Sequence, residues 1–225
     1  SGSADLLEEA GVRLDLNAEQ VARCVKEKGL GFMFAPAHHG AMKYAIGPRK
    51  ELATRTIFNL LGPLTNPAGA SNQVLGVYAK HWLRPVAEVL QNLGSHHVMV
   101  VHSEDGLDEI SIAGKTFVAE LRNGAISEYE IAPEDFGLKS ASLDPLRVET
   151  AAESLALIEQ AFDDSSSVAA DMIALNAGAA IYVSGIASTL AEGIQLAGDI
   201  IGSGQAKIKL QDFAEFTRML KDFEK

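Results

Sequence analysis

Two stretches of the chain hold residue types able to do chemistry on a small charged molecule. The first is "HSEDGLDEIS" (102–111), in which Glu104, Asp105, Asp108 and Glu109 cluster around Gly106 directly after the apolar run "HHVMVVHS". That run reads as a buried strand, and in open α/β sheets ligands bind beyond the carboxyl ends of the strands. Adjacent acids on extended backbone point to different sides. Asp108 and Glu109 therefore suit two magnesium ions, or one ion reached through water, better than a single closed cage. By spacing alone the same four acids also fit a solvated turn.

The second stretch is cationic. "APAHHGAMKYAIGPRKELATRT" (35–56) gathers two histidines, two lysines and two arginines just before "FNLLGPLTNP" (58–67). Arg49 follows Pro48, so stiff backbone fixes its position, and its planar fork suits a carboxylate or phosphate as a lysine does not. His38 and His39 precede Gly40, which permits close approach of a ligand, although neighbouring histidines also serve as surface or packing residues. No Cys or Glu stands at ligand spacing to make them a metal site. Pro63 lacks an amide hydrogen and biases Gly62 away from helix, which predicts a firm break at Gly62-Pro63. "GDIIGSG" (198–204) has neither glycine fingerprint of a phosphate loop and follows a helical pattern, so it reads as a helix end.

The elements that must carry these residues follow from periodicity. Ser3 is the predicted cap of a short helix (4–10) ended by Gly11, and Asn17 with Gln20 forms an N-x-x-Q box for a second helix stopped at Gly29. "LGFMFAP" (30–36) reads as a buried strand closed by Pro36, and a broken helical stretch then runs to Leu61. "NQVLGVYA" (72–79) and "HHVMVVHS" (96–103) are strands around the helix "WLRPVAEVLQNLG", a βαβ unit that implies parallel pairing. "EISIAGKTFVAELRNGAISEYEI" (109–131) alternates apolar and polar residues about Ala113-Gly114 and Asn123-Gly124, and reads as an antiparallel meander. From Thr150, whose box partner is Glu153, the pattern is helical and rich in Ala and Gly. The fold class is thus α/β: a mixed, mainly parallel central sheet flanked by helices, with an antiparallel meander.

Composition limits what such a fold does. With 225 residues the chain can bury a sizeable core as a single α/β domain spanning 1–225. The balance of 19 basic to 30 acidic residues, a net charge of −11, argues against a general nucleic-acid surface but leaves room for a local basic pocket. Cys24 is the only cysteine, which excludes an internal disulfide and fits a reducing compartment. No apolar run nears the roughly 18 residues that span a bilayer. A soluble cytoplasmic protein is the expectation, with neither membrane nor nucleic-acid partner.

Taken together, "SGSADLLEEAGVRLDL", "GFMFAPAHHGAMKYAIGPRKELATRTIFNLLGPLTNPA" and "DGLDEIS", in this order, closely resemble the anthranilate phosphoribosyltransferase family of tryptophan biosynthesis, across essentially the whole chain. The resemblance implies the nucleoside phosphorylase/phosphoribosyltransferase α/β domain. It also implies transfer of a phosphoribosyl group from phosphoribosyl pyrophosphate to anthranilate, with Mg2+. Carried over residue by residue, Arg49 corresponds to the arginine that holds anthranilate. Pro36, His39, Gly62 and Pro63 correspond to walls of its channel. Ser3 corresponds to a hydroxyl on the phosphoribosyl pyrophosphate side, and Asp108 and Glu109 to the magnesium acids. The aromatic amine is already neutral and nucleophilic at pH 7, so positioning dominates and no general base is assigned.

The family also has a helical segment, a G-T-G-G-D loop and a K-H-G-N-R run ahead of the serine matching Ser3, and none of these occurs here. The expectation is that the chain represents about the C-terminal two-thirds of such an enzyme, folding alone but not turning over, with the segment of the family homodimer absent. Two other readings stand beside it. One is a non-catalytic fragment, decided by intact mass and reading frame; the other is a nucleic-acid-binding relative on the same fold, decided by a salt-dependent gel shift.

Overall fold

The computed structural model describes residues 2–38 and 58–220. In chain order the described helices are α1 (Ser3–Glu9), α2 (Ala18–Lys28), α3 (Ala35–His38), α4 (Phe58–Leu64) and α5 (Leu83–Asn92), followed by α6 (Ala151–Asp163), α7 (Val168–Val183), α8 (Leu190–Gly202) and α9 (Gln205–Met219). The strands are β1 (Asn72–Gly76), β2 (His97–Ser103), β3 (Thr116–Arg122) and β4 (Ala125–Ile131). The described residues fall into two compact units, one of residues 60–147 and 160–203, the other of 2–38, 58–59, 148–159 and 204–220.

The first unit holds the sheet, in the order β1-β2-β3-β4. β1 and β2 are parallel and connected through α5, which is the predicted βαβ unit. β2–β3 and β3–β4 are antiparallel. The sheet is mixed, as expected, but only one of its described pairings is parallel. The meander uses β2 itself as its first leg rather than residues 109–112. Those residues are loop, and Ile110, Ser111 and Ile112 are all buried (2%, 1% and 0% exposed), so their apolar–polar alternation does not mark the two faces of a strand. The second turn is the predicted one: Asn123 and Gly124 both take positive φ (52° and 76°), as a two-residue hairpin demands.

Strand alternation feeds two cores. Val98, Val100, Ala119 and Leu121 bury against Val86, Ala87 and Leu90 of α5. Met99, Val101 and Val118 bury against Leu175, Ala179 and Tyr182 of α7 on the opposite face. Helices on both faces are what strands apolar on both sides require. α7 and α8 meet backbone to backbone, since a Cβ on Gly193 would stand 2.4 Å from the Gly178 carbonyl oxygen.

The second unit buries Val12, Leu16, Val21, Cys24 and Phe213 between α2, α9 and the loop before α2. Its caps are local and follow the sequence. Asn17 and Gln20 exchange backbone N–H to side-chain bonds at 2.9 Å each, and Gly29 stops α2 with φ 78°. Thr150 and Glu153 exchange the same kind of bond at 3.2 and 3.1 Å ahead of α6.

Three expectations need correction. Residues 30–34 are irregular and 35–38 helical, so "LGFMFAP" is not a strand. None of the described strands pairs with it, and Phe32 and Met33 pack as side chains against this core instead. Ser3 is the first residue of α1 rather than its cap. Gly2 holds the cap position and donates its N–H to Asp5 at 2.9 Å. α4 continues through Gly62-Pro63 to Leu64. A proline so near the helix end removes a single intrahelical bond, and Thr65 closes the turn through N–H and hydroxyl bonds to the Leu61 carbonyl at 3.1 and 2.9 Å. No single described helix is long and apolar enough to cross a membrane.

Candidate active site

The acidic loop follows β2 at the carboxyl end of the parallel pair, and its four acids divide by task. Asp105 is an internal tie. One of its oxygens accepts the Ser103 hydroxyl at 2.5 Å and the Leu107 N–H at 3.1 Å, and the other accepts the Ser111 hydroxyl. Backbone bonds from Ser103 to Leu107 (3.0 Å) and from Glu104 to Lys115 (2.9 Å) complete the turn. Burial alone would push the Asp105 carboxyl up. The two hydroxyls, the Leu107 amide and the nearby His102 outweigh that and hold it below the ordinary aspartate value.

Asp108 and Glu109 are held differently, by the backbone on each side of them. The Asp108 carbonyl lies against Gly76, the last residue of β1, where a Cβ would stand only 1.6 Å from its oxygen. Ile110 is latched by Asn176 of α7, which accepts its N–H at 2.9 Å and donates to its carbonyl at 2.8 Å. Both acids are exposed residues between these anchors. Surrounding protein strips solvent from the Glu109 carboxyl and, with the adjacent Asp108 charge, raises its pKa. Among the described residues no ion pair or hydrogen bond neutralises either side chain.

The chemistry of this donor set fits a hard divalent cation. Two neighbouring carboxylates whose charges repel are relieved by one, and oxygen ligands select magnesium over softer metals. The described residues contain no group of three or more His, Cys, Asp or Glu able to enclose a metal. Magnesium tolerates that, because it keeps several waters and is commonly held by one or two carboxylates plus substrate phosphates.

The remaining sequence-based candidates lie in α1, α3 and α4 or outside the described residues. Arg49 and His39 lie outside the described residues, and Pro36 falls in α3 with its side chain outside them. Ser3 is exposed in the first turn of α1. Gly62 and Pro63 sit together near the end of α4. Pro63 lines a cavity of about 180 Å3 with Leu64, Ser71, Gln73 and Leu90. That cavity adjoins the start of β1, whereas Asp108 touches its last residue. Sequence reasoning missed Gly76 and Asn176. A polar amide inside an otherwise apolar helix was the available signal for Asn176, and a glycine closing a buried strand the signal for Gly76.

Comparison with known proteins draws these observations together. The chain is 66% identical over 220 residues to an anthranilate phosphoribosyltransferase from Marinomonas sp. (strain MWYL1), covering 97% of this chain and 64% of that protein. Its fold matches the crystal structure of anthranilate phosphoribosyltransferase from Thermus thermophilus with a TM-score of 0.89 and 42% identity, over 96% of this chain and 64% of the other. The Saccharomyces cerevisiae enzyme in complex with PRPP and Mg matches with a TM-score of 0.85 and 27% identity (97% and 63% covered). The same enzyme with 4-fluoroanthranilate gives 0.85 and 26% over the same shares. The chain thus spans about 64% of the length of these relatives. Residues 1–207 match the family model described as glycosyl transferase family, a/b domain, and with that match over most of its length the chain belongs to this glycosyl transferase family.

Proposed function

We propose that the chain is the α/β domain of an anthranilate phosphoribosyltransferase, acting as one phosphoribosyltransferase domain in cytoplasmic tryptophan biosynthesis. It would move the phosphoribosyl group of phosphoribosyl pyrophosphate onto the amine of anthranilate and release pyrophosphate. The observation that carries this reading is the pair Asp108-Glu109, which has no ion pair or hydrogen bond to its side chains among the described residues and stands at the carboxyl end of the parallel strands, while Asp105 is spent on holding the loop closed. Relatives that bind PRPP with Mg, and 4-fluoroanthranilate, support the two substrate classes.

The roles are those the family resemblance implies for these residues, and their chemistry suits them. Asp108 and Glu109 hold magnesium, whose contribution when bound is to neutralise charge on the departing pyrophosphate. Ser3 offers a hydroxyl to the phosphoribosyl pyrophosphate side. Arg49 pairs with the anthranilate carboxylate, and Pro36, His39, Gly62 and Pro63 shape the slot for its ring. The anthranilate amine is neutral at pH 7, so the residues orient it toward the sugar carbon rather than remove a proton. A homodimer, as the resemblance implies, belongs to the same proposal.

The test is direct. A polypeptide of the relatives' full length carrying this chain, mixed with magnesium, phosphoribosyl pyrophosphate and anthranilate, is expected to consume anthranilate, read as loss of its fluorescence. Persistence of that fluorescence while phosphoribosyl pyrophosphate binds would overturn the reading. In the same assay Arg49→Ala is expected to raise the KM for anthranilate about ten- to hundredfold, since a charge-assisted contact contributes about 1.5–3 kcal/mol. The KM for phosphoribosyl pyrophosphate should stay near its original value; equal effects on both substrates would remove Arg49 from the carboxylate site.

A further inference from the structure

A single side chain from another element secures the backbone immediately after the acidic pair. Asn176 accepts the Ile110 N–H at 2.9 Å and donates to the Ile110 carbonyl at 2.8 Å, and its amide nitrogen also donates to the Met172 carbonyl at 3.0 Å. Donating and accepting at once toward one residue's backbone is what a primary amide can do. Ile110 is 2% exposed and its bonds to Asn176 are part-buried, so a lost partner would be replaced by water only in part. On the preceding side, Gly76 admits the Asp108 carbonyl to a distance that any Cβ would forbid. Asp105 ties Ser103 to Ser111 across the same loop. The loop is thus fixed at both ends and across its middle, while the two carboxylates between the anchors have no ion pair or hydrogen bond among the described residues.

We infer that Asn176 is a positioning residue for the acidic pair: with Gly76, it sets the backbone at Asp108 and Glu109 in the metal-free protein, so that magnesium and a diphosphate meet carboxylates already in place. The inference rests on the proposed reading that Asp108 and Glu109 hold magnesium. Its physical reason is that two repelling carboxylates on a free loop would move apart, and ordering them on binding would draw on the binding free energy. Outer partners that orient metal ligands typically contribute about 10–100-fold in affinity.

Two measurements test it. In the full-length polypeptide, Mn2+ serves as the probe, and free Mn2+ is read by electron paramagnetic resonance in the presence of phosphoribosyl pyrophosphate. Asn176→Ala is expected to weaken Mn2+ binding about tenfold or more. The KM for anthranilate should stay unchanged and kcat should recover at saturating magnesium. Asp108→Asn with Glu109→Gln is run beside it. If that double variant binds Mn2+ like the original protein, the metal reading itself fails. If the double variant is weakened but Asn176→Ala is not, or if Asn176→Ala shifts the anthranilate KM as much as the metal affinity, the positioning role is overturned. The second measurement needs no variant and decides the matter should Asn176→Ala not fold. Amide exchange at Ile110 in the metal-free protein should be as slow as in the core of β2. Exchange there as fast as in an unstructured peptide, slowing only when metal and phosphoribosyl pyrophosphate are added, would overturn the inference.

Discussion

Asp108→Asn combined with Glu109→Gln is expected to lower turnover at limiting magnesium by about a hundredfold or more, with little change in the KM for anthranilate. A metal that neutralises a leaving group supplies several kcal/mol of charge stabilisation, and each 1.36 kcal/mol is about a decade in rate. Losing both anionic ligands removes most of that, while the amides retain the size and shape of the acids. The fold should not suffer. The loop is held by Asp105, by the backbone contact at Gly76 and by the Asn176 bonds to Ile110, none of which uses the Asp108 or Glu109 side chains. Stability should even rise slightly, because the desolvated Glu109 carboxyl and its like-charged neighbour are mutually unfavourable in the folded state. Initial rates against magnesium concentration, with a thermal melt of the same preparation, check both halves. Wild-type rates at limiting magnesium would return all the acids of this loop, Asp105 apart, to the status of a solvated turn.

What is legible in the sequence, and what is not, divides along the range of the interactions. The Asn17–Gln20 and Thr150–Glu153 boxes and the Asn123-Gly124 turn each depend on residues at most three apart, and all form as read. The βαβ unit is legible because strand and helix periods differ over many residues. "LGFMFAP" misleads because a strand needs a partner, and an apolar run carries no mark of whether one will be beside it. Pro63 misleads for a different reason, since a helix tolerates proline where one lost bond ends it anyway. In the candidate site, the acids announce themselves by clustering, but their division of labour does not. That Asp105 is consumed by Ser103 and Ser111 while Asp108 and Glu109 bond to no described residue through their side chains depends on the path of the loop. The anchors are further out of reach: Asn176 is 66 residues from Ile110, and Gly76 meets Asp108 only because β1 and β2 run parallel.

Glu120→Ala is expected to be the most destabilising change at neutral pH, by about 3–5 kcal/mol. Alternation puts Glu120 on the α7 side of β3, where it is only 7% exposed. Its carboxylate is surrounded by partners. Oε1 lies 2.8 Å from His97 Nε2 and accepts the Tyr182 hydroxyl at 2.8 Å, and Oε2 accepts the Tyr129 hydroxyl at 2.7 Å. Arg122 donates in turn to the Tyr182 oxygen at 2.8 Å. Truncation leaves two hydroxyls and an imidazole without their acceptor and opens a cavity between sheet and helix. Burial pushes the Glu120 carboxyl up, but the bonds from Tyr129, Tyr182 and His97 prevail and its pKa is lowered. A depressed folded value means that the carboxylate contributes stability above the unfolded glutamate value of about 4.3, and that this contribution is lost as pH falls through the folded value. The penalty of Glu120→Ala, measured by urea unfolding, should therefore be large at pH 7 and shrink toward the cavity cost in acid. A penalty independent of pH would mean that the folded protein holds Glu120 neutral. His97 begins β2 whereas the acidic loop follows its end, so protein that remains folded with Glu120→Ala should keep an unaltered magnesium dependence. A shifted magnesium dependence would instead couple the two ends of the sheet through β2.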